Sequence, residues 1–222
     1  MPDYLEMLAD LGGPAIGPQI QFAHNAHLFG EWQALGHELL ELLTIKNGLF
    51  AYESALLVRP LRAHGDVLGI SEWNSQDLWK ADYNVDLSHT LHFAEDLVGG
   101  QYCLHGGEVC YFDPETGNRV PVAASMRGWS KLIVTQSALR TMNTLAHDWQ
   151  LKNGAIPPGK RLLPVPPFVA GGKYDADHLF LTPDVDAMRF RAALARQIRN
   201  LPDGAQVTIQ VDWPHGRGGQ DK

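Results

Sequence analysis

Apolar and polar positions alternate most clearly between Leu91 and Val122, and this stretch reads as a β-meander. Leu91–Ala94 forms a short strand and Gly99-Gly100 breaks it. Gln101–His105 and Glu108–Asp113 then flank Gly106-Gly107, a two-residue hairpin signal because both turn positions need positive φ. Pro114–Asn118 turns the chain again into Arg119–Ala123. The turn sets the register. Leu104 faces Val109 and Tyr102 faces Tyr111 on one side, while Cys103 faces Cys110 and Gln101 faces Phe112 on the other. Both faces are largely apolar, so the hairpin is expected at the centre of the protein, covered on two sides.

Around the meander the periodicity changes. Trp32, Leu35, Leu39, Leu42 and Leu43 fall on one face of a helix over Trp32–Lys46, ended by Asn47-Gly48. A less regular helix is expected within Gln19–Gly30. Leu49–Val58 reads as one strand, and Ser71–Ala81 as a short helix carrying Trp73 and Trp79. Ser125 is the N-cap of a long helix whose stripe runs Trp129, Leu132, Ile133, Leu139, Met142, Ala146 and Trp149 to Asn153-Gly154. The five prolines of Pro157–Pro167 predict an irregular strap. His178–Leu181 then suggests a strand and Asp184–Asn200 a helix with Ala187, Phe190, Leu194 and Ile198 inward. Ala205–Val211 suggests a last strand, before a loose tail from Trp213.

The expected fold is therefore α+β: a mostly antiparallel meander sheet with helices packed on it, plus a C-terminal α/β extension. The division falls at residues 1–154 for the main domain and 155–222 for the Pro-rich strap and a strand-helix-strand extension packed on the same body.

The order of the pieces adds a resemblance. FAEDLVGGQYCL from Phe93, V-x-Y-F-D-P-E-T-G at Val109–Gly117, and A-A-S-M-R-G-W-S-K-L-I around Ser125–Trp129 follow a helix ending in Asn47-Gly48. Over roughly residues 32 to 150 this resembles the SUKH superfamily, which includes cell-wall-synthesis regulators and bacterial immunity proteins. The chain departs from the family pattern in its longer N-terminal part, which lacks a clear L-P segment, and in residues 155–222.

Charge changes the picture. The net charge is −7, but residues 63–118 hold ten acids against Lys80 alone, whereas residues 119–222 hold eight acids and fourteen bases. The resemblance implies a non-enzymatic immunity protein that occupies the active cleft of a toxin domain, and an acidic surface suits a cationic toxin such as a nuclease. On that reading Glu95, Asp96, Asp113 and Glu115 form the partner contact, with Trp79 and Tyr83 as aromatic anchors. The D-P-E-T-G run also builds a turn in its own right, since Asp accepts backbone N–H groups, Pro114 presets φ and Gly117 permits positive φ.

Other chemistry is weakly supported. His24 and His27 stand three apart, but no carboxylate or cysteine completes a recognised metal-ligand spacing. Asp175, Asp177 and His178 read as a turning loop, and Cys103 as a packing residue rather than a nucleophile. No phosphate-binding loop, dinucleotide fingerprint or nucleophile elbow occurs. Arg189, Arg196 and Arg199 make a basic stripe, read as a solvated face or a counterpart to the anionic middle segment rather than a nucleic-acid site. No catalytic residue, metal or cofactor is expected, nor any direct nucleic-acid or membrane contact. The two cysteines are expected reduced and the protein cytoplasmic, because no export signal or run of about 18 apolar residues is visible. The alternatives are a regulatory scaffold, or a metal-dependent hydrolase using His24, His27 and a carboxylate.

Overall fold

The computed structural model describes residues 2–202 and 204. In chain order the elements are α1 (Tyr4–Leu11), α2 (Phe22–Asn25), α3 (Gln33–Ile45), β1 (Leu49–Ala51), β2 (Leu56–Val58), α4 (Ile70–Trp73), β3 (Leu91–Glu95), β4 (Gln101–His105), β5 (Glu108–Phe112), β6 (Arg119–Ala123), α5 (Met126–Thr135), α6 (Ser137–Thr141), α7 (Asn143–Asn153), β7 (Lys160–Pro164), β8 (Leu179–Pro183) and α8 (Asp184–Ile198). Strands β1 to β6 form one antiparallel sheet in sequence order, and β7 and β8 pair as a small second sheet. The protein is α+β.

The central hairpin has the register that its Gly-Gly turn demands: Gln101 faces Phe112, Tyr102 faces Tyr111, Cys103 faces Cys110 and Leu104 faces Val109. Alternation sends these pairs into two different cores. Tyr102, Leu104 and Val109 join Leu39, Leu43, Phe93 and Trp129 beneath α1, α3 and α5. There the Trp129 ring meets Phe93 edge-on at 4.9 Å and Tyr102 at 5.5 Å, geometry worth about 0.5–1.5 kcal/mol per pair beyond buried area. Cys103, Cys110 and Phe112 face the opposite layer with Trp73, Trp79, Tyr83 and Met188 of α8. Both cysteines are free thiols.

Several elements differ from the sequence expectation. The single strand over Leu49–Val58 is a hairpin, because Tyr52, Glu53 and Ser54 all adopt positive φ without a glycine to announce the turn. The helix expected over Ser71–Ala81 stops at Trp73, and only a 3-10 turn at Lys80–Asp82 follows. The long helix after Ser125 is three helices: the Ser125 side chain accepts from the Gly128 N–H as foreseen, but Met142 at φ 60° interrupts the run and leaves Leu139 exposed. Over Gln19–Gly30 only Phe22–Asn25 is α-helical, continuing as a 3-10 turn. The proline-rich strap contains β7, since Lys160–Leu163 are free of proline and pair with Phe180–Pro183. The strand expected at Ala205–Val211 and the tail from Trp213 lie outside the described residues.

The outer strand β6 is half-exposed and carries Pro121 next to an exposed Val120. At the other edge, Gly12 bridges Ala51 of β1. The basic stripe on α8 is exposed and reaches along the surface to the anionic segment: Arg189 donates to the Leu78 carbonyl, and Arg196 to that of Asp82. Arg199, just beyond the helix, donates to the Asn84 carbonyl. Lys80, the one base of that segment, is buried and donates to the Thr90 carbonyl at 2.7 Å. Burial lowers its pKa to about 8.

A buried ion network ties the small sheet and α8 to the meander. Glu95 accepts from Arg161 Nε at 2.7 Å, pairs with Arg59 Nη2 at 3.0 Å and accepts from the Gln101 amide at 2.9 Å. The same Arg59 nitrogen reaches Asp184 at 3.0 Å. Burial alone would raise the Glu95 pKa, but the two guanidiniums hold it below the usual carboxylate value. Replacing Glu95 with alanine leaves buried Arg161 without a carboxylate and Arg59 with Asp184 alone, so a loss of about 3–5 kcal/mol is expected, read as a lower midpoint in urea unfolding. A loss under about 1 kcal/mol would show the network to be dispensable.

Candidate functional site

The turns that close β3 and β5 come together beside α8 and enclose a cavity of about 350 Å³, within the range of roughly 300–1,000 Å³ typical of ligand sites. Its floor is built from the Val98–Gly100 turn. Asp96 Oδ1 accepts the Val98 N–H at 3.0 Å and the Gly100 N–H at 2.8 Å, and Oδ2 accepts the Tyr111 hydroxyl at 2.7 Å. Two glycines are required here. Gly99 has φ +77°, and a Cβ on it would sit 2.9 Å from Arg191 Nη1; a Cβ on Gly100 would sit 1.8 Å from the Tyr111 hydroxyl oxygen. The pair that marks the end of a strand in the sequence is thus also where three polar side chains meet.

One wall is the D-P-E-T-G turn, and its self-capping geometry is the one its residue types imply. Asp113 accepts the Glu115 N–H at 2.9 Å and the Thr116 hydroxyl at 2.9 Å, and Gly117, at φ +73°, donates to the Asp113 carbonyl. Glu115 points inward and is 4% exposed. Its Oε2 accepts the Val169 N–H at 2.9 Å, while Oε1 is buried without a hydrogen-bond partner among the described residues. Burial raises its pKa. The facing wall is Arg191 of α8, 1% exposed. Its Nη2 donates to the Leu162 carbonyl at 3.2 Å and its Nη1 is likewise unpartnered among the described residues. Phe168 and Tyr174 stack in parallel at the rim, centroids 3.9 Å apart, with Tyr174 65% exposed.

The structure assigns the six sequence-expected contact residues differently from one another. Glu95 is 1% exposed and neutralised by Arg59 and Arg161, so it presents no charge to a partner. Trp79 and Tyr83 are buried among Trp73, His92 and Phe112, and the Tyr83 hydroxyl donates to the Pro114 carbonyl at 2.8 Å; they anchor the core rather than an interface. Asp96 and Glu115 are buried, though both belong to the cavity region, and Asp113 alone remains partly exposed. The continuous acidic surface expected from these four acids does not form, because Glu95, Asp96 and Glu115 are buried and turned toward the chain's own donors. Arg191, Phe168 and Tyr174 were not anticipated. The sequence did hold one signal: Arg191 sits three residues after Met188 and four before Ala195, inside the buried stripe of α8.

Among the described residues, no group of three or more His, Cys, Asp or Glu side chains is disposed to hold a metal ion, and no helix is long and apolar enough to cross a membrane. Compared with protein-family models and with curated proteins, the chain matches none.

Desolvation dominates the Asp96 carboxyl and raises its pKa to about 6 despite three donors. The folded protein therefore holds this proton at pH values where the unfolded chain, near 3.8, has lost it. Stability from this group is full below the unfolded value and declines as pH rises to about 6. Wild type should lose on the order of 2–3 kcal/mol relative to Asp96→Asn across that window, measured by urea unfolding at stepped pH. A pH-independent difference would show that folding leaves the Asp96 pKa unshifted.

Proposed function

We propose that this protein is a non-enzymatic binding protein of the SUKH immunity type, which neutralises a bacterial toxin domain by occupying its cationic active cleft. The contact is the rim of the cavity rather than the set of four acids. The observation that carries this reading is the conjunction of the Asp113 turn with the exposed Phe168–Tyr174 stack and the exposed Val169. A partly exposed carboxylate beside rigid aromatic and aliphatic surface is the composition from which interface hot spots are made. The Asp113 side of the rim follows β5 of a sheet packed on both faces, so little ordering is needed there on binding. Net charge of −7 favours fast encounter with a basic partner. The order of the FAEDLVGG, D-P-E-T-G and Ser125–Trp129 pieces supports the family resemblance, and the burial of Glu95, Asp96 and Glu115 leaves recognition to the rim.

The test is binding of the toxin domain encoded by the adjacent gene, together with rescue of cells expressing it. Asp113→Lys and Tyr174→Ala are each expected to weaken binding about tenfold or more, with affinity also falling from low to high salt. Unchanged affinity in both variants would remove the rim as the contact, and failure to protect cells would remove the immunity reading.

A further inference from the structure

We infer that the cavity beneath the rim is a binding site for a small zwitterion of the free amino-acid class. The proposal is independent of the toxin reading. It rests on two buried groups of opposite charge that line one cavity and do not pair with each other. Arg191 Nη1 and Glu115 Oε1 are both without hydrogen-bond partners among the described residues, and no salt bridge joins the two side chains. An isolated buried polar atom costs about 1–3 kcal/mol, and more when it is charged. A fold that carries two in one accessible cavity has the complement of a ligand bearing an acceptor at one end and a donor at the other.

The surroundings narrow the class. Leu162 accepts from the other Arg191 nitrogen, and Gly99 has no side chain beside Nη1, so the guanidinium keeps one unbonded edge, itself buried in the cavity wall. That edge suits a carboxylate, which takes charge-assisted hydrogen bonds from a guanidinium. Glu115 is fixed through Oε2 by the Val169 N–H and offers Oε1 to an ammonium, beside the second carboxylate of Asp113. A simple anion would meet Glu115 and Asp113, and a simple cation would meet Arg191; a zwitterion satisfies both walls. Val98, Met142 and Phe168 supply an apolar surface for the side chain, which favours an aliphatic or aromatic amino acid over a polar one. The volume of about 350 Å³ accommodates a molecule of that size but not a folded partner.

The experiment uses the full chain, titrated calorimetrically with the twenty common L-amino acids at millimolar concentration and followed in parallel by thermal unfolding. At least one apolar amino acid is expected to bind and to raise the unfolding temperature. Its N-acetyl and methyl-ester derivatives, each missing one charge, should bind at least about tenfold more weakly. Glu115→Gln keeps a carbonyl oxygen for the Val169 N–H but replaces Oε1 with an amide, so it should lose about tenfold or more in affinity with an unchanged circular dichroism spectrum. Glu108→Gln, on the distant hairpin turn, should bind as wild type does. Absence of binding by all twenty, equal binding of the singly charged derivatives, or undiminished binding by Glu115→Gln would each overturn the proposal.

Discussion

Two arginines enclosed by carboxylates, far from water, hold this protein together. Arg59 leaves the end of β2, Arg161 comes from β7, Glu95 ends β3 and Asp184 opens α8, so four remote points of the chain meet at one place. Arg59 also lies over the Trp73 ring at 3.4 Å from its centroid, and the Trp73 indole N–H donates to the Gln101 side chain. Such a network is a poor source of net stability, since desolvating the ions offsets most of their attraction. Its effect is on specificity: this docking of the small sheet and α8 onto the meander brings Arg59 to Glu95 and Asp184, and Arg161 to Glu95. The placement of Arg191, and with it the cavity, follows from that docking.

The same arrangement explains what could and could not be read from the sequence. Local chemistry was legible. The Gly106-Gly107 turn fixed the pairing of four residue pairs, Ser125 capped its helix, and the Asp113 turn closed with the side-chain contacts that Asp, Thr and Gly imply. Partners separated by long stretches of chain were not. An acidic run such as Glu95-Asp96 looks like exposed charge until Arg161, 66 residues later, is known to donate to it. Apolar periodicity likewise merged α5, α6 and α7 into one helix, because no glycine or proline marks the breaks at Gln136 and Met142, although Leu139 between them is exposed. Proline content misled for a related reason: a two-stranded sheet tolerates Pro164 at the end of β7, where a central strand would not.

In the cavity region, backbone economy and chemistry coincide. The Asp96 carboxyl organises a tight turn, receives a tyrosine hydroxyl and lies near Arg191, all around two residues without side chains. The turn is therefore structural in its hydrogen bonding while its glycines open space above it. A site built this way inherits the rigidity of the sheet, which lowers the ordering cost of any recognition at its mouth.

The half-exposed β6 bears on how the protein behaves at high concentration. An open sheet border is a template on which a neighbouring molecule can add its own strand. Pro121 offers such a visitor no amide hydrogen, and its ring stiffens the backbone where the visitor would need to lie flat. The opposite border is already occupied by the chain's own Gly12–Gly13 segment. Both rims of the meander are thus discouraged from growing into fibres, leaving side-chain surfaces as the available means of association.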